Sequence, residues 1–572
     1  MRLLPLFAAL VLAACHSGSD ACKGLDVPTA QPEAIAKRAE ERTGTMVTAP
    51  HAIVAASSPL SARIAFSVLR KGGSAVDAFI AATLADDVVL PGQTSAAGLE
   101  GILLYASPTQ ASSTAGRRLE YLHGALATAA SPAALYHDGD TALGKHVLIP
   151  GEVAALEQAW LSYGKLKWED DVLPVAQLAR EGFPIDEAYA KAIAERATVL
   201  QASDYGKATF FKNGQPLKAG ERLKQPQLAD TLEQLAHHGA AHFYKGDWAK
   251  QLVAAVKAKG GAIELTDLSS YQPASSEPLH GAYHELDVAT SSGLSSGGAK
   301  LLLSLAALEH FDLSKLGRRE SSPRALELLI DVQRAVEDER FLRDPEELKD
   351  RERLTRTIAV AAFNIAKQVT EKEAARTPYD VKGGTHSAHV IVVDADGNIV
   401  TGTHTMEAPP WGEGFFVGGV ALATSAPYIG QNLKPGIKLL DPLSTEIVFQ
   451  EGQPRLVLGA YGTGLSPADV QVLSGLADYG LNPEQAVLEP RLGWFAVNPL
   501  SHHPDPTVNL LDPRVPRDVV CELLRRGVEV RQRDESAPDG LLDLGYPMVV
   551  KLNTGKVQAM VPELSNGEAV GY

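Results

Sequence analysis

Apolar and polar positions follow two different periods along this chain, and the change of period divides it. Before residue 380, apolar residues recur at helical spacing in several blocks. Ser57-Ser58-Pro59 can cap and start a helix running through Leu69, which Gly72-Gly73 ends. Ser74, with Asp77 three residues on, reads as an N-cap opening a second apolar helix from Ala78 to Leu84, so this stretch is expected to be structural. Further helical patterns carry Leu156, Ala159 and Trp160, then Val175, Leu178 and Ala179, then Leu228, Leu232 and Leu235, then Leu252, Val253 and Val256. Ser291 to Gly298 introduces a helix from Ala299 to Leu308; its composition fits a row of N–H groups for an anion and equally a turn that caps the helix. Arg334 to Arg356 alternates acids with bases and reads as solvated helix faces, leading to a helix from Ile358 to Val369.

After residue 380 the period becomes two. Val390 to Val393 is a β-branched run that closes in an Asp394–Asn398 turn and resumes as a second strand. Glu446–Phe449, Arg455–Ala460, and the closing pair Met548–Val550 and Val557–Met560 also read as strands. Near the start, Val47–Ala49 and Ile53–Ala56 form an expected strand pair, and Ile102–Tyr105 another strand. Helical blocks followed by strands, with no internal repeat, predict a layered α/β protein whose sheet draws on both halves of the chain.

One stretch carries candidate chemistry. In Gly383-Gly384-Thr385-His386-Ser387-Ala388-His389, two hydroxyls and two imidazoles stand directly ahead of a buried strand. That placement suits a strand-mounted nucleophile, and it also suits a Gly-rich turn entering an ordinary hairpin. A second Gly-rich turn, Tyr461-Gly462-Thr463-Gly464, again follows a strand.

Composition narrows the partners. The chain has 572 residues, 45% hydrophobic and 21% charged, with a net charge of -16. It is long enough for a large core, and its charge disfavours nucleic acid and anionic lipid, leaving a small-molecule or peptide-like substrate as the expectation. No metal-ligand spacing or nucleotide-binding loop is present, so no cofactor and no metal are expected. At the N-terminus, Arg2 precedes an apolar run from Leu3 to Leu12 that is too short to span a bilayer. Leu12-Ala13-Ala14-Cys15 resembles a bacterial lipobox. The resemblance implies that residues 1–14 are removed and that Cys15 carries a lipid anchor, with His16 directing it to the outer membrane, facing the periplasm; an ordinary signal with an incidental cysteine is the alternative. Residues 15–45 read as a polar tether. Only Cys22 and Cys521 then remain, so no structural disulfide framework is expected.

Several blocks together resemble the γ-glutamyltranspeptidase family (γ-glutamyltransferase, glutathione hydrolase) of N-terminal-nucleophile hydrolases. They are Gly72–Ala78, Pro150–Ala154, Leu178–Phe183, Phe243–Gly246, Ser295–Gly298, Val392–Asn398, Asp478–Asn482 and Ala569–Tyr572. The resemblance implies a four-layer α-β-β-α sandwich made as one precursor, which cuts itself into a large part, residues 46–386, and a small part, residues 387–572, that stay together as a heterodimer. It implies Ser387 as nucleophile with Thr385 as second choice, Thr405 as the hydroxyl that hydrogen-bonds it, and Gly462 and Thr463 as oxyanion donors. Substrate contacts are implied at Glu407, Ser296 and Asp441. Here the chain departs from the family pattern: Leu122 stands at the position of the substrate-binding arginine, and no carboxylate occurs near Ala426-Pro427-Tyr428. The implied activity is cleavage or transfer of a γ-glutamyl or other acyl amide through an acyl-enzyme. An acylase for a non-glutamyl group, and a non-catalytic binding module, are the alternatives.

Overall fold

The computed structural model describes residues 45–90, 92–107, 119–371, 386–429, 433–493, 496–497, 504–505, 507–533, 544–562 and 567–572. The signal, Cys15, most of the tether and Thr385 therefore lie outside the described residues. Fourteen strands build two large sheets. The first seven are β1 (Thr45–Ala49), β2 (Ile53–Ala56), β3 (Leu99–Tyr105), β4 (Leu119–Gly124), β5 (Ala274–Ser276), β6 (Leu279–Tyr283) and β7 (Leu286–Thr290). The rest are β8 (Ser387–Val393), β9 (Ile399–Thr405), β10 (Glu446–Gln450), β11 (Gln453–Tyr461), β12 (Tyr546–Asn553), β13 (Lys556–Val561) and β14 (Glu568–Gly571). One sheet runs β1-β13-β12-β11-β10-β7-β6 and the other β14-β2-β8-β9-β3-β4-β5, with neighbours antiparallel throughout.

The two sheets face each other, and alternation along each strand decides which layer a side chain enters. Ile391, Val393 and Ile399 pack with Leu103, Ile447 and Val457 between the sheets. Val390, Val392 and Val400 point the other way, into the helices that cover the second sheet. Those helices include α1 (Pro59–Arg70), α2 (Ala75–Val89), α3 (Glu152–Tyr163) and α4 (Trp168–Glu181). On the outer face of the first sheet lie α5 (Ser296–Leu308), α6 (Pro323–Asp338), α7 (Arg351–Glu371), α8 (Leu465–Asp478) and α9 (Arg517–Arg525), around a core of leucines and valines. The result is a four-layer α-β-β-α sandwich.

Local chemistry explains the elements that frame the site. The Ser74 hydroxyl accepts from Asp77 N while the Asp77 carboxylate accepts from Ser74 N, a complete capping box at the start of α2. The helix is longer than its sequence pattern suggested, because it is buried on nearly every side, its three aspartates notwithstanding, and packs against α1, α4 and β8. Asp394 closes the β8–β9 turn: one carboxylate oxygen accepts from Asp396 N and Asn398 N, each at 3.0 Å, and the other from the Asn398 side chain at 2.8 Å and Ala75 N at 3.0 Å. One side chain thus ties the hairpin to the first turn of α2.

Four expectations need correction. β1 and β2 do not pair with each other: β1 joins β13 and β2 joins β8 and β14, so the short link between them crosses from one sheet to the other. The closing strand pair is not the last, since β14 follows and pairs with β2. Arg334 is not on a solvated face; it is buried, and its guanidinium donates to Asn509 Oδ1 at 3.2 Å and Thr507 O at 2.8 Å. Cys521 is fully buried on α9 and disulfide-bonded, so a bridge exists where none was expected.

Candidate active site

Ser387 is the first residue of β8, next to the centre of its sheet, and only 3% exposed. Its Oγ accepts a hydrogen bond from Gly462 N at 3.1 Å. Gly462 has φ +90, a conformation in which a side chain would be strained, and Gly464, also left-handed, caps α8. The glycines of the β11–α8 turn therefore let the backbone approach Ser387 with an N–H directed at it. Thr463 is buried in the same turn.

Thr405 lies directly opposite Ser387 in the β8–β9 register. Its hydroxyl does not go to Ser387 Oγ. It donates to the carbonyl oxygen of His386 at 2.6 Å and accepts from Glu407 N at 3.0 Å. That carbonyl belongs to the His386–Ser387 peptide, so a polarising donor sits on the bond just ahead of the candidate nucleophile.

The second imidazole of the motif does not supply a base. His389 is fully buried between the sheets, with Nδ1 against Thr403 Oγ1 at 2.8 Å and Nε2 against Thr401 Oγ1 at 2.9 Å, and burial pushes its pKa down to about 3. It is a neutral core residue. His404, on the opposite face of β9, is likewise driven down to about 3 by burial and then by His389.

Glu407 stands with Ser387, Gly462, Gly464, Pro442 and Leu443 around one pocket. It adopts φ +51 and is buried; burial first, then the charge of Asp441, raises its carboxyl to about 8. Asp441 and Ser296 are near but are not among the residues that line this pocket. Ser296 donates through N at 2.8 Å and through Oγ at 3.0 Å to the Asp441 carbonyl, while the Asp441 carboxyl meets His123 Nε2 at 2.5 Å and accepts from Leu443 N at 3.1 Å. Both residues brace the strap that carries Pro442 and Leu443 into the pocket.

Leu122 is buried on the helix-facing side of β4. Alternation therefore gives the opposite side of that strand to Tyr121 and His123. Tyr121 reaches Ser295 Oγ at 2.6 Å, and His123 reaches Asp441. Trp411 and Phe416 pack with Phe210 in the helical core and line a different cavity from that of Ser387.

Two charged pocket residues were missed. Lys300 and Glu337 line the Ser387 pocket and pair with each other at 2.8 Å. Lys300 falls four residues after Ser296 on α5, so helical spacing from the Ser-Ser-Gly-Gly block was a usable signal. Glu337 had none, because its charged stretch resembles a solvated surface. Among the described residues no group of His, Cys, Asp and Glu is arranged to hold a metal ion.

A buried hydroxyl at the head of a strand, facing an N–H from a glycine turn inside a four-layer sandwich, defines the fold class as that of the N-terminal-nucleophile hydrolases. The solved cephalosporin acylase from Bacillus halodurans shares this fold, with a TM-score of 0.76 and 22% identity over 92% of this chain and 97% of that one. A family model described as Gamma-glutamyltranspeptidase matches residues 61–540, and the chain belongs to that family. It is 28% identical to the Glutathione hydrolase proenzyme of Bacillus subtilis (strain 168), covering 91% of each chain. It is 29% identical to that of Escherichia coli (strain K12), covering 85% of this chain and 86% of the relative.

Proposed function

We propose that this protein cuts its own His386–Ser387 bond and then uses Ser387 to cleave or transfer the acyl group of an amide. The observation that carries this reading is the pair of donors around Ser387: Gly462 N–H on its Oγ and the Thr405 hydroxyl on the preceding carbonyl. In the first step Ser387 Oγ attacks the His386 carbonyl carbon. The C–N bond breaks, the amine takes the proton, and an ester to Oγ remains. Water hydrolyses the ester, leaving a carboxylate at His386 and a free α-amine on Ser387. An α-amine titrates near 8, so at neutral pH it accepts the Oγ proton as a general base.

In the second reaction Oγ attacks the substrate amide carbon and the oxyanion takes the Gly462 N–H, with Thr463 N–H as the proposed second donor. The proton passes to the leaving amine, and water or an acceptor amine then resolves the acyl-enzyme. Thr385 remains the second candidate nucleophile. The relatives named as glutathione hydrolases support a γ-glutamyl acyl group. A specific observation favours a second reading, an acyl group without an α-carboxylate: Leu122 is packed in the core, Asp441 is committed to His123, and Glu407 faces the pocket.

Denaturing electrophoresis with N-terminal sequencing tests the first step. Two fragments, the smaller starting at Ser387, are expected; a lasting single chain refutes self-cleavage. Turnover of γ-glutamyl anilide beside neutral acyl anilides tests the second, and activity that persists in Ser387→Ala eliminates Ser387 as nucleophile. The apolar run ending in Ala13-Ala14-Cys15 supports a lipid anchor on Cys15, at the outer membrane facing the periplasm. Mass spectrometry of the mature N-terminus would show a diacylglyceryl cysteine; an unmodified start elsewhere excludes it.

A further inference from the structure

The strap from Gly436 to Leu443 borders two spaces. Pro442 and Leu443 line the Ser387 pocket, whereas Gly436, Ile437 and Lys438 line a separate cavity of about 680 Å³. That volume falls within the ~300–1,000 Å³ of small-molecule sites. The strap is fastened along its length: Gly436 N donates to Ala129 O, Leu439 N to Leu126 O and Asp441 N to Leu294 O. The cavity wall is therefore held in place by backbone pairing.

The charge of this cavity opposes that of the chain. In a protein of net charge -16, the wall presents Lys349, Arg351 and Lys438 against a single carboxylate, Glu277. Arg351 is engaged by Glu277 at 2.5 Å and Lys349 by Glu346 at 3.2 Å. Lys438 is different. It is half-buried, lies 5.3 Å from the centre of the Tyr271 ring, and burial alone pushes its pKa down, with no carboxylate among the described residues near enough to counter it. The ring face attracts this ammonium without neutralising it, so its charge stays available to an anion in the cavity. Beside it Ile437 is 36% exposed, and Leu294 and Leu348 add apolar wall. The Ser276 and Ser292 hydroxyls are satisfied among themselves: Ser292 Oγ donates to Glu277 O at 2.9 Å and Ser276 Oγ lies 2.8 Å from Ser292 Oγ.

We propose that this cavity binds a small organic carboxylate, with the carboxylate on Lys438 and the apolar body against Leu294 and Ile437. The site is distinct from the Ser387 pocket and does not depend on the reaction proposed there.

Calorimetric titration of the full chain with hexanoate, hexylamine, acetate and inorganic phosphate tests this. Hexanoate binds and hexylamine does not. Lys438→Met weakens hexanoate by roughly tenfold or more, as expected for loss of a charge-assisted contact, and Lys438→Arg restores most of it. Ser387→Ala binds hexanoate as the parent does. Melting temperatures matching the parent's establish that both Lys438 variants are folded. Absence of hexanoate binding, or equal binding by Lys438→Met, overturns the site. Loss of binding in Ser387→Ala would move the ligand to the other pocket and equally overturn it. Acetate or phosphate binding as tightly as hexanoate would refute the organic carboxylate in favour of a bare anion.

Discussion

Thr405→Val isolates the donor on the His386 carbonyl. Valine keeps the β-branched shape and the strand preference of threonine at the position opposite Ser387, but removes a hydroxyl that lies 2.6 Å from that carbonyl and 3.0 Å from Glu407 N. Two costs follow, and they are separable. Attack by Ser387 Oγ places negative charge on the carbonyl oxygen, and loss of one donor to such an oxyanion slows a reaction by roughly 10²–10³, or about 2.7–4 kcal/mol. The orphaned Glu407 N–H lowers stability by about 1–3 kcal/mol. The first cost is read from the decay of the intact chain on denaturing gels over time, and the second from thermal melting. Thr405→Ser retains the hydroxyl and is expected to mature near the parental rate. Maturation of Thr405→Val at the parental rate would refute the role of this hydrogen bond. If Thr405→Ser were as slow as Thr405→Val, the methyl group, and not the donor, would be what matters.

Two other perturbations probe one wall of the site and the core behind it. The Glu407 carboxyl is raised to about 8 in the folded protein, so the folded chain retains a proton that the unfolded chain releases at ordinary glutamate pH. Stability from this group is full below the ordinary value and is lost as pH rises to about 8; Glu407→Gln should flatten the fall of melting temperature between pH 5 and 8, and an unchanged slope would exclude Glu407 as a contributor. Gly459 on β11 allows the sheets to close over His389: a Cβ there would lie 2.2 Å from the ring Cε1. Gly459→Ala is expected to destabilise by about 1–3 kcal/mol through overpacking, and a melting temperature equal to the parent's would contradict that contact.

The capping box of Ser74 and Asp77, the Asp394–Asn398 turn and the β8–β9 hairpin were legible in the sequence because each is held by residues within a few positions. The partners of β1 and β2 were not. Only three residues separate these strands, and local pattern favours pairing them, yet they hydrogen-bond into different sheets while Ala49 and Ile53 pack into the one core between those sheets. Arg334 misled for a related reason: charge alternation describes the neighbours in sequence, whereas its partners Asn509 and Thr507 arrive from more than 170 residues away.

Taken alone, the sequence determined the layered class, the motif ahead of β8 and the absence of an arginine at position 122, since these follow from periodicity and residue identity. Tertiary structure decided which side chains face one another. Whether Thr405 reaches Ser387 Oγ or the His386 carbonyl, whether His389 is a base or a neutral core residue, and whether Asp441 enters the pocket or is held by His123 all depend on register and on the face each strand turns inward. At hydrogen-bonding distances, a one-residue change of register would reassign every one of these contacts.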